Sequence, residues 1–174
     1  RRAPSRSRPS WPVTTDPAAD GMKYRKLGET GILVSEVGFG AWGIGGRTAG
    51  ATSYGDTDDA QSLRALGRAL DLGITFFDTS SAYGSGHSEA LIGRAVKGRR
   101  DKAVIATKAG YDDWTKPPDF SPGAIRRSTE LSLKRLGTDY LDVLQLHNPP
   151  SEVLGHDETR LVLTALLAEG KIRS

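Results

Sequence analysis

Residues 74–96 read ITFFDTSSAYGSGHSEALIGRAV. The run Ile74-Thr75-Phe76-Phe77 is β-branched and aromatic, as a strand requires, and it ends on an acid, Asp78. A loop of small polar residues and glycines follows, with Tyr83 inside it. From about Ser88 the apolar positions Leu91, Ile92, Ala95 and Val96 fall at helical spacing, and Gly98 closes the pattern. One strand, one loop and one helix therefore form a unit that carries ionisable groups at the strand's carboxyl end.

The same unit repeats on both sides. Upstream, Glu36-Val37-Gly38-Phe39 reads as a strand and Gly40–Asp56 as a long glycine-rich loop. A helix starts near Thr57, with Asp58 and Asp59 in its first turn, where carboxylates suit the helix dipole. Leu63, Leu66 and Leu70 mark its apolar side and Gly73 ends it. Downstream, the third strand is Ala103–Thr107. The third helix begins at Ser121 as N-cap with Pro122 in its first turn, buries Ile125, Leu133 and Leu136, and stops at Gly137. The fourth strand is Leu141–Leu146, and the fourth helix spans about Asp157–Glu169 with Leu161, Ala165 and Ala168 on its apolar side. Lys171–Ser174 reads as the approach to a fifth strand. Ahead of the units, Lys23–Lys26 and Ile32–Val34 flank the turn-like Leu27–Gly31 and predict a β-hairpin.

Alternating strands and helices imply parallel strands with right-handed crossovers. Two architectures fit, an open doubly wound sheet and a (β/α)8 barrel. Both place function at the carboxyl ends of the strands. The stretch Gly38-Phe39-Gly40-Ala41-Trp42-Gly43 matches a dinucleotide-binding glycine pattern. That pattern needs a helix opening at the glycines. Here Ile44–Gly50 is a poor helix, so the Rossmann reading is rejected.

With 174 residues, 37% hydrophobic and 26% charged, the chain reads as one soluble globular domain. No apolar run approaches the roughly 18 residues of a membrane helix, so no membrane partner is expected. The net charge of +3 raises the question of nucleic acid. Four of the arginines, Arg1, Arg2, Arg6 and Arg8, sit in the first 21 residues against Asp16 and Asp20, which leaves the body near neutral. Nucleic acid is therefore not expected as a partner. Pro4, Pro9, Pro12 and Pro17 interrupt residues 1–21, which are read as a disordered tail or upstream sequence before a native start at Met22. The absence of cysteine excludes disulfides, thiolate metal sites and a Cys nucleophile, and no metal is expected. It is compatible with a reducing cytoplasm, the expected location. Oligomeric state is not legible.

Three successive strands end in ionisable residues: Asp78, Lys108 and His147, with Tyr83 in the loop after Asp78. Singly, each has a bland explanation: a turn cap, a solvated ammonium, loop surface, a ring over the core. Together on one rim they form a chemical set. Carbonyl reduction needs a hydride donor and a proton donor. A phenol is a weak acid, and an adjacent ammonium favours its anion. An acid would orient that ammonium, and an imidazole would polarise the carbonyl. The hydride must come from a cofactor.

From about Met22 to its end the chain resembles the aldo-keto reductase superfamily. The resemblance is carried by YRKLGETGILVSEVGFGAWGIGG (24–46), ITFFDTSSAYGSGHSEALIGRAV (74–96), AVIATKAG (103–110), YLDVLQLHNPP (140–150) and LLAEGKIRS (166–174). It implies a (β/α)8 TIM-type barrel with a hairpin closing its bottom, and a carbonyl-reducing oxidoreductase using NADP(H) without a Rossmann fold. It implies catalytic roles for Asp78, Tyr83, Lys108 and His147, with Tyr83 as general acid. Gly40, Ala41, Trp42 and Asp78 would contact the cofactor. Trp42, Tyr83, His147 and Asn148 would contact a small carbonyl substrate. The segment 109–120, with Trp114, is a further candidate for the pocket wall. Such a barrel typically needs about 250 residues. Four βα units and the start of a fifth therefore predict an incomplete barrel, an N-terminal portion lacking the family's main phosphate- and adenine-binding segments. The alternative implied by the family is a non-catalytic NADP-binding regulatory subunit of the same fold.

Overall fold

In the computed structural model, residues 21–48, 53–112 and 114–174 are described. The tail reading for residues 1–21 falls almost wholly outside them.

The alternating pattern becomes a four-stranded parallel sheet flanked by helices. Strands β1 (Tyr24–Lys26) and β2 (Leu33–Ser35) form an antiparallel hairpin, with Tyr24 opposite Ser35. Then come β3 (Gly38–Gly40), α1 (Asp59–Asp71), β4 (Phe76–Asp78), α2 (His87–Ala95), β5 (Val104–Ala109), α3 (Pro122–Leu136), β6 (Val143–Leu146), the short α4 (Ser151–Gly155) and α5 (Asp157–Ala168).

The sheet order is β3-β4-β5-β6, all parallel, with no reversal. This order decides between the two architectures. A doubly wound sheet reverses strand order at a switch point and covers both faces with helices. Here the helices pack in series, α1 on α2, α2 on α3, α3 on α5. The fold is an incomplete (β/α)8 barrel of four βα units. A parallel bridge from Leu141 to Ile172 and the hydrogen bond from Leu144 N–H to the Ser174 carbonyl, 2.9 Å, begin a fifth strand position.

Successive side chains on a strand face opposite sides. Phe77, Ile105 and Leu144 pack under the helices with Leu66, Leu91, Ile92, Ile125 and Leu166. Their neighbours Phe76, Val104 and Val143 face the barrel interior, where Ile32 and Val34 of the hairpin meet them. The hairpin thus plugs the amino end of the strands. By the same alternation Asp78, Lys108 and His147 share the inward parity of Phe76, Val104 and Val143, but at the carboxyl end.

The Ser121 cap holds, and the first helix starts two residues later than its sequence suggests. Asp58 is the N-cap of α1, its carboxylate accepting from Gln61 N–H at 2.6 Å, so it precedes the first turn rather than lying in it. Ser121 caps α3 through Ala124 N–H at 3.3 Å, with Pro122 in the first turn. No helix opens at the glycines of β3 among the described residues, and α1 begins only at Asp59, as the rejection of the Rossmann reading requires.

The fourth helix needs a correction. Its buried residues are Thr159, Val162 and Leu166, while Leu161 is 64% exposed and Ala168 lies at the surface. Two stripes at helical spacing compete on this apolar helix. The one centred on Val162 and Leu166 turns towards α3 and the sheet.

Candidate active site

The site assembles where β4, β5 and β6 end. Asp78 is the last residue of β4 and pairs with Ala106 of β5. Lys108 stands two residues further along β5, opposite Gln145. His147 follows β6 directly, its N–H bonded to the Ala109 carbonyl at 2.9 Å. The turn after Asp78 carries Tyr83 into the same space.

Lys108 Nζ donates to Asp78 Oδ1 at 2.7 Å, to the Thr79 carbonyl at 2.8 Å and to Tyr83 Oη at 3.3 Å. An ammonium has three protons. Two are held by Asp78 and Thr79, so the third is directed at the phenol oxygen. Tyr83 Oη then accepts from lysine, and its own proton is left to be donated elsewhere. The ammonium also lies 4.9 Å from the Tyr83 ring centroid.

The turn that presents Tyr83 is tightly built. Gly84 has φ of +61° and Ser85 +53°, both left-handed. A side chain on Gly84 would collide with the Gly45 carbonyl of the first loop, so glycine is needed for two reasons. Behind the turn runs a buried hydroxyl chain. Thr79 Oγ1 and Ser88 Oγ are 2.9 Å apart, and Ser88 donates to the Ala41 carbonyl at 2.8 Å. This chain ties β4, α2 and the first loop together at the rim.

His147 is 7% exposed. Its Nδ1 lies 3.1 Å from Ser80 Oγ. The Tyr83 ring stands perpendicular to it at 6.0 Å, and Tyr111 and Trp114 close on it at 5.4 and 5.1 Å. Burial, and next the Lys108 ammonium, push its pKa below the ordinary histidine value, with Asp78 opposing. The imidazole is therefore neutral near pH 7.

Trp42 packs against Tyr54 at 4.6 Å with the rings tilted by 48°, and lies 6.4 Å from Tyr83, with 39% of its surface exposed. Ala41 is buried and Gly40 is exposed, with open space where a side chain would stand. Asn148 is exposed beside His147 in a left-handed conformation (φ +49°). The fold thus draws Asp78, Tyr83, Lys108 and His147 together, sets Trp42 against Tyr83, and brings Trp114 of segment 109–120 over His147.

Several contributors were not legible in sequence. The Thr79 carbonyl, Ser80, and Ser81, whose one hydroxyl proton lies between the Lys108 and Tyr111 carbonyls, stand in a run that reads as ordinary turn chemistry. A signal existed: three consecutive small hydroxyl residues directly after a strand, ahead of a glycine-rich turn. Tyr54 could not be placed on Trp42 without the loop's path. Among the described residues no group of three or more His, Cys, Asp or Glu could hold a metal, and no helix is long and apolar enough to cross a membrane.

Residues 36–174 match the sequence profile of the Aldo/keto reductase family. The chain belongs to that family. It is 41% identical over 158 residues to aldo-keto reductase YhdN of Bacillus subtilis, covering 88% of this chain and 46% of the relative. The holo form of an aldo-keto reductase from Bacillus halodurans superimposes with a TM-score of 0.75 at 35% identity, over 87% of this chain and 48% of that one. An aldo-keto reductase from Klebsiella pneumoniae, solved in complex with NADPH, gives a TM-score of 0.67 at 34% identity, over 87% and 48%. The chain spans about half the length of these aldo-keto reductases.

Proposed function

We propose that this chain carries the acid–base part of an NADP(H)-dependent reductase of aldehydes and ketones, the activity being that of the whole protein. The observation that supports it most is the Lys108 ammonium bridging the Asp78 carboxylate and the Tyr83 oxygen. A lysine 14% exposed at a strand end, its ammonium shared among a carboxylate, a backbone carbonyl and a phenol oxygen, fits that role.

The residues present fit the nicotinamide end of such a cofactor. Asp78 commits one oxygen to Lys108; among the described residues its other oxygen accepts no hydrogen bond, and a third of the side chain is open. Gly40 leaves room on the rim, and the Trp42 ring, 39% exposed, lies 6.4 Å from Tyr83. Gly40, Ala41, Trp42 and Asp78 would hold the ring and its ribose. When bound, the cofactor supplies the hydride.

The protein's own groups supply the rest. Tyr83 donates its proton to the carbonyl oxygen as charge develops there. Lys108, already aimed at Tyr83 Oη, stabilises the phenolate left behind, and Asp78 and the Thr79 carbonyl keep the ammonium in place. Neutral His147 donates a hydrogen bond to the same carbonyl oxygen and orients it. Trp42 and Asn148 would contact a small carbonyl substrate, and Tyr111 and Trp114 pack edge-on against His147.

The test is Tyr83→Phe in the whole protein, followed as NADPH oxidation with a generic aldehyde. The ring and its packing stay; the hydroxyl is lost, and with it the proton and the acceptor of the Lys108 ammonium. We expect kcat to fall by about 10²–10⁴-fold with cofactor affinity retained. Unchanged turnover would sink the mechanism.

A further inference from the structure

A neutral imidazole carries its proton on one nitrogen only, and the other is an acceptor. Which one is protonated decides what His147 can do. A free N–H can hold a carbonyl oxygen; a free lone pair repels it.

The loop after β4 resolves this choice. Ser80 is fully buried, and its hydroxyl lies 3.1 Å from His147 Nδ1. The same oxygen already accepts from Ala82 N–H at 3.1 Å. A serine hydroxyl has one proton to give. Were Nδ1 protonated, Ser80 Oγ would accept twice, and its own proton would be buried with no acceptor among the described residues. Leaving a buried donor unmade is costly. With Nδ1 bare, every group is satisfied: Ala82 donates to Ser80, and Ser80 donates to Nδ1. Nε2 then carries the imidazole proton, and among the described residues no hydrogen bond to Nε2 competes for it.

Ring inversion offers no escape. Turning the imidazole over would set a carbon against the Ser80 hydroxyl. Tyr111, Trp114 and Tyr83 meet the ring at steep angles of 69°, 79° and 89°, which fixes its plane.

We propose that Ser80 is a positioning residue that donates to Nδ1 of His147 and thereby holds the imidazole as the Nε2–H tautomer, ready to donate to a carbonyl oxygen. The consequence for turnover rests on the proposed reductase function. The tautomer itself does not, and it can be read without turnover. One loop, residues 79–83, then supplies the proton donor, the carbonyl that anchors its lysine and the hydroxyl that sets the histidine.

The test is nitrogen NMR of the whole chain labelled with 15N-histidine, above neutral pH. The chain has three histidines, His87, His147 and His156, and His147→Gln identifies the relevant signals. We expect a bare Nδ1 and a protonated Nε2 in the wild type. Ser80→Ala should move the Nδ1 resonance towards the protonated position, and Ser80→Thr, which restores a hydroxyl, should move it back. A protonated Nδ1 in the wild type overturns the inference, and this arm decides the matter even if Ser80→Ala does not fold. So does a tautomer unmoved in a folded Ser80→Ala variant. In the active protein, a turnover independent of His147 would sink the proposed function while leaving a Ser80-dependent tautomer intact. A turnover that needs His147 but has a Ser80-independent tautomer would sink the inference alone.

Discussion

His147 joins the chemistry of the site to the stability of the chain. Its pKa lies below the ordinary value because burial, and after it the Lys108 ammonium, oppose a positive imidazole. The unfolded chain therefore takes up a proton first as pH falls. Stability is fully present above the ordinary histidine pKa of about 6.5 and is lost progressively below it, until the folded form protonates as well. We expect the thermal midpoint to drop on going from pH 7.5 towards 5.5, and His147→Gln to flatten that slope. A slope unaffected by His147→Gln would contradict the assignment. Lys108 makes a complementary case. In Lys108→Met the Asp78 carboxylate loses its ammonium and the Tyr83 oxygen loses its donor. Carbonyl turnover in the whole protein should fall by at least about 10²-fold, and an active Lys108→Met would refute the roles of both Lys108 and Tyr83. At this scale the residue types were legible in sequence, because acids, lysine, tyrosine and histidine at successive strand ends are unusual. Their helpers were not, because Thr79 acts through its backbone carbonyl and Ser80 through a partner 67 positions away.

Elements are held by caps and by close approaches at glycine. Asp58 satisfies Gln61 N–H at the start of α1, and nothing else in the sequence performs that task. Asp58→Ala should cost about 1 kcal/mol in a denaturant titration, with an unchanged slope. Gly93 lies within α2, where a helix former would be preferred on propensity alone. A Cβ there would meet the Leu136 carbonyl oxygen at 2.6 Å and the Arg135 oxygen at 2.9 Å, both backbone atoms at the end of α3. Gly93→Ala should therefore destabilise by about 1–3 kcal/mol despite its better propensity. A stabilised variant would show that α2 and α3 are not this close. The Ser121 cap was readable from sequence because it depends on a neighbour three residues away, whereas Asp58 was read one step too far into α1. Gly93 was not readable, because its reason lies on another helix. The stripe on α5 failed for a related reason. A helix rich in Leu, Val and Ala offers two apolar sides, and only packing against α3 selects Val162 and Leu166 over Leu161.

The whole molecule depends on how its β–α units join. Glu89, fully buried on α2, accepts from Thr107 of β5 at 2.5 Å and pairs with Arg135 of α3 at 2.5 Å. Asp142, 1% exposed, takes Arg100 at 2.7 Å and Arg173 at 2.5 Å and accepts from Ile105 N–H at 2.9 Å. Each buried acid thus links three separate segments. Near the end of the chain, Ile172 is 2% exposed, bridges Leu141 and joins the main core. Ile172→Ala should cost about 2–5 kcal/mol in equilibrium unfolding, far more than a frayed end would. A negligible loss would mean that this segment is not docked.

What the sequence by itself determined is what depends on local periodicity. Strand and helix alternation, the hairpin, the cap of α3, and the placement of Asp78, Lys108 and His147 on one rim follow from local signals and residue spacing of two or 3.6. The order β3-β4-β5-β6 bears out the barrel that the family resemblance implied and residue spacing left open, while the tertiary structure alone decided the face that α5 buries and the partners of the four ionisable residues at the rim. These depend on contacts between segments distant in sequence. A backbone carbonyl such as Thr79 has no signature in the residue alphabet, and a buried serine such as Ser80 reads like any turn residue until β6 delivers the imidazole beside it.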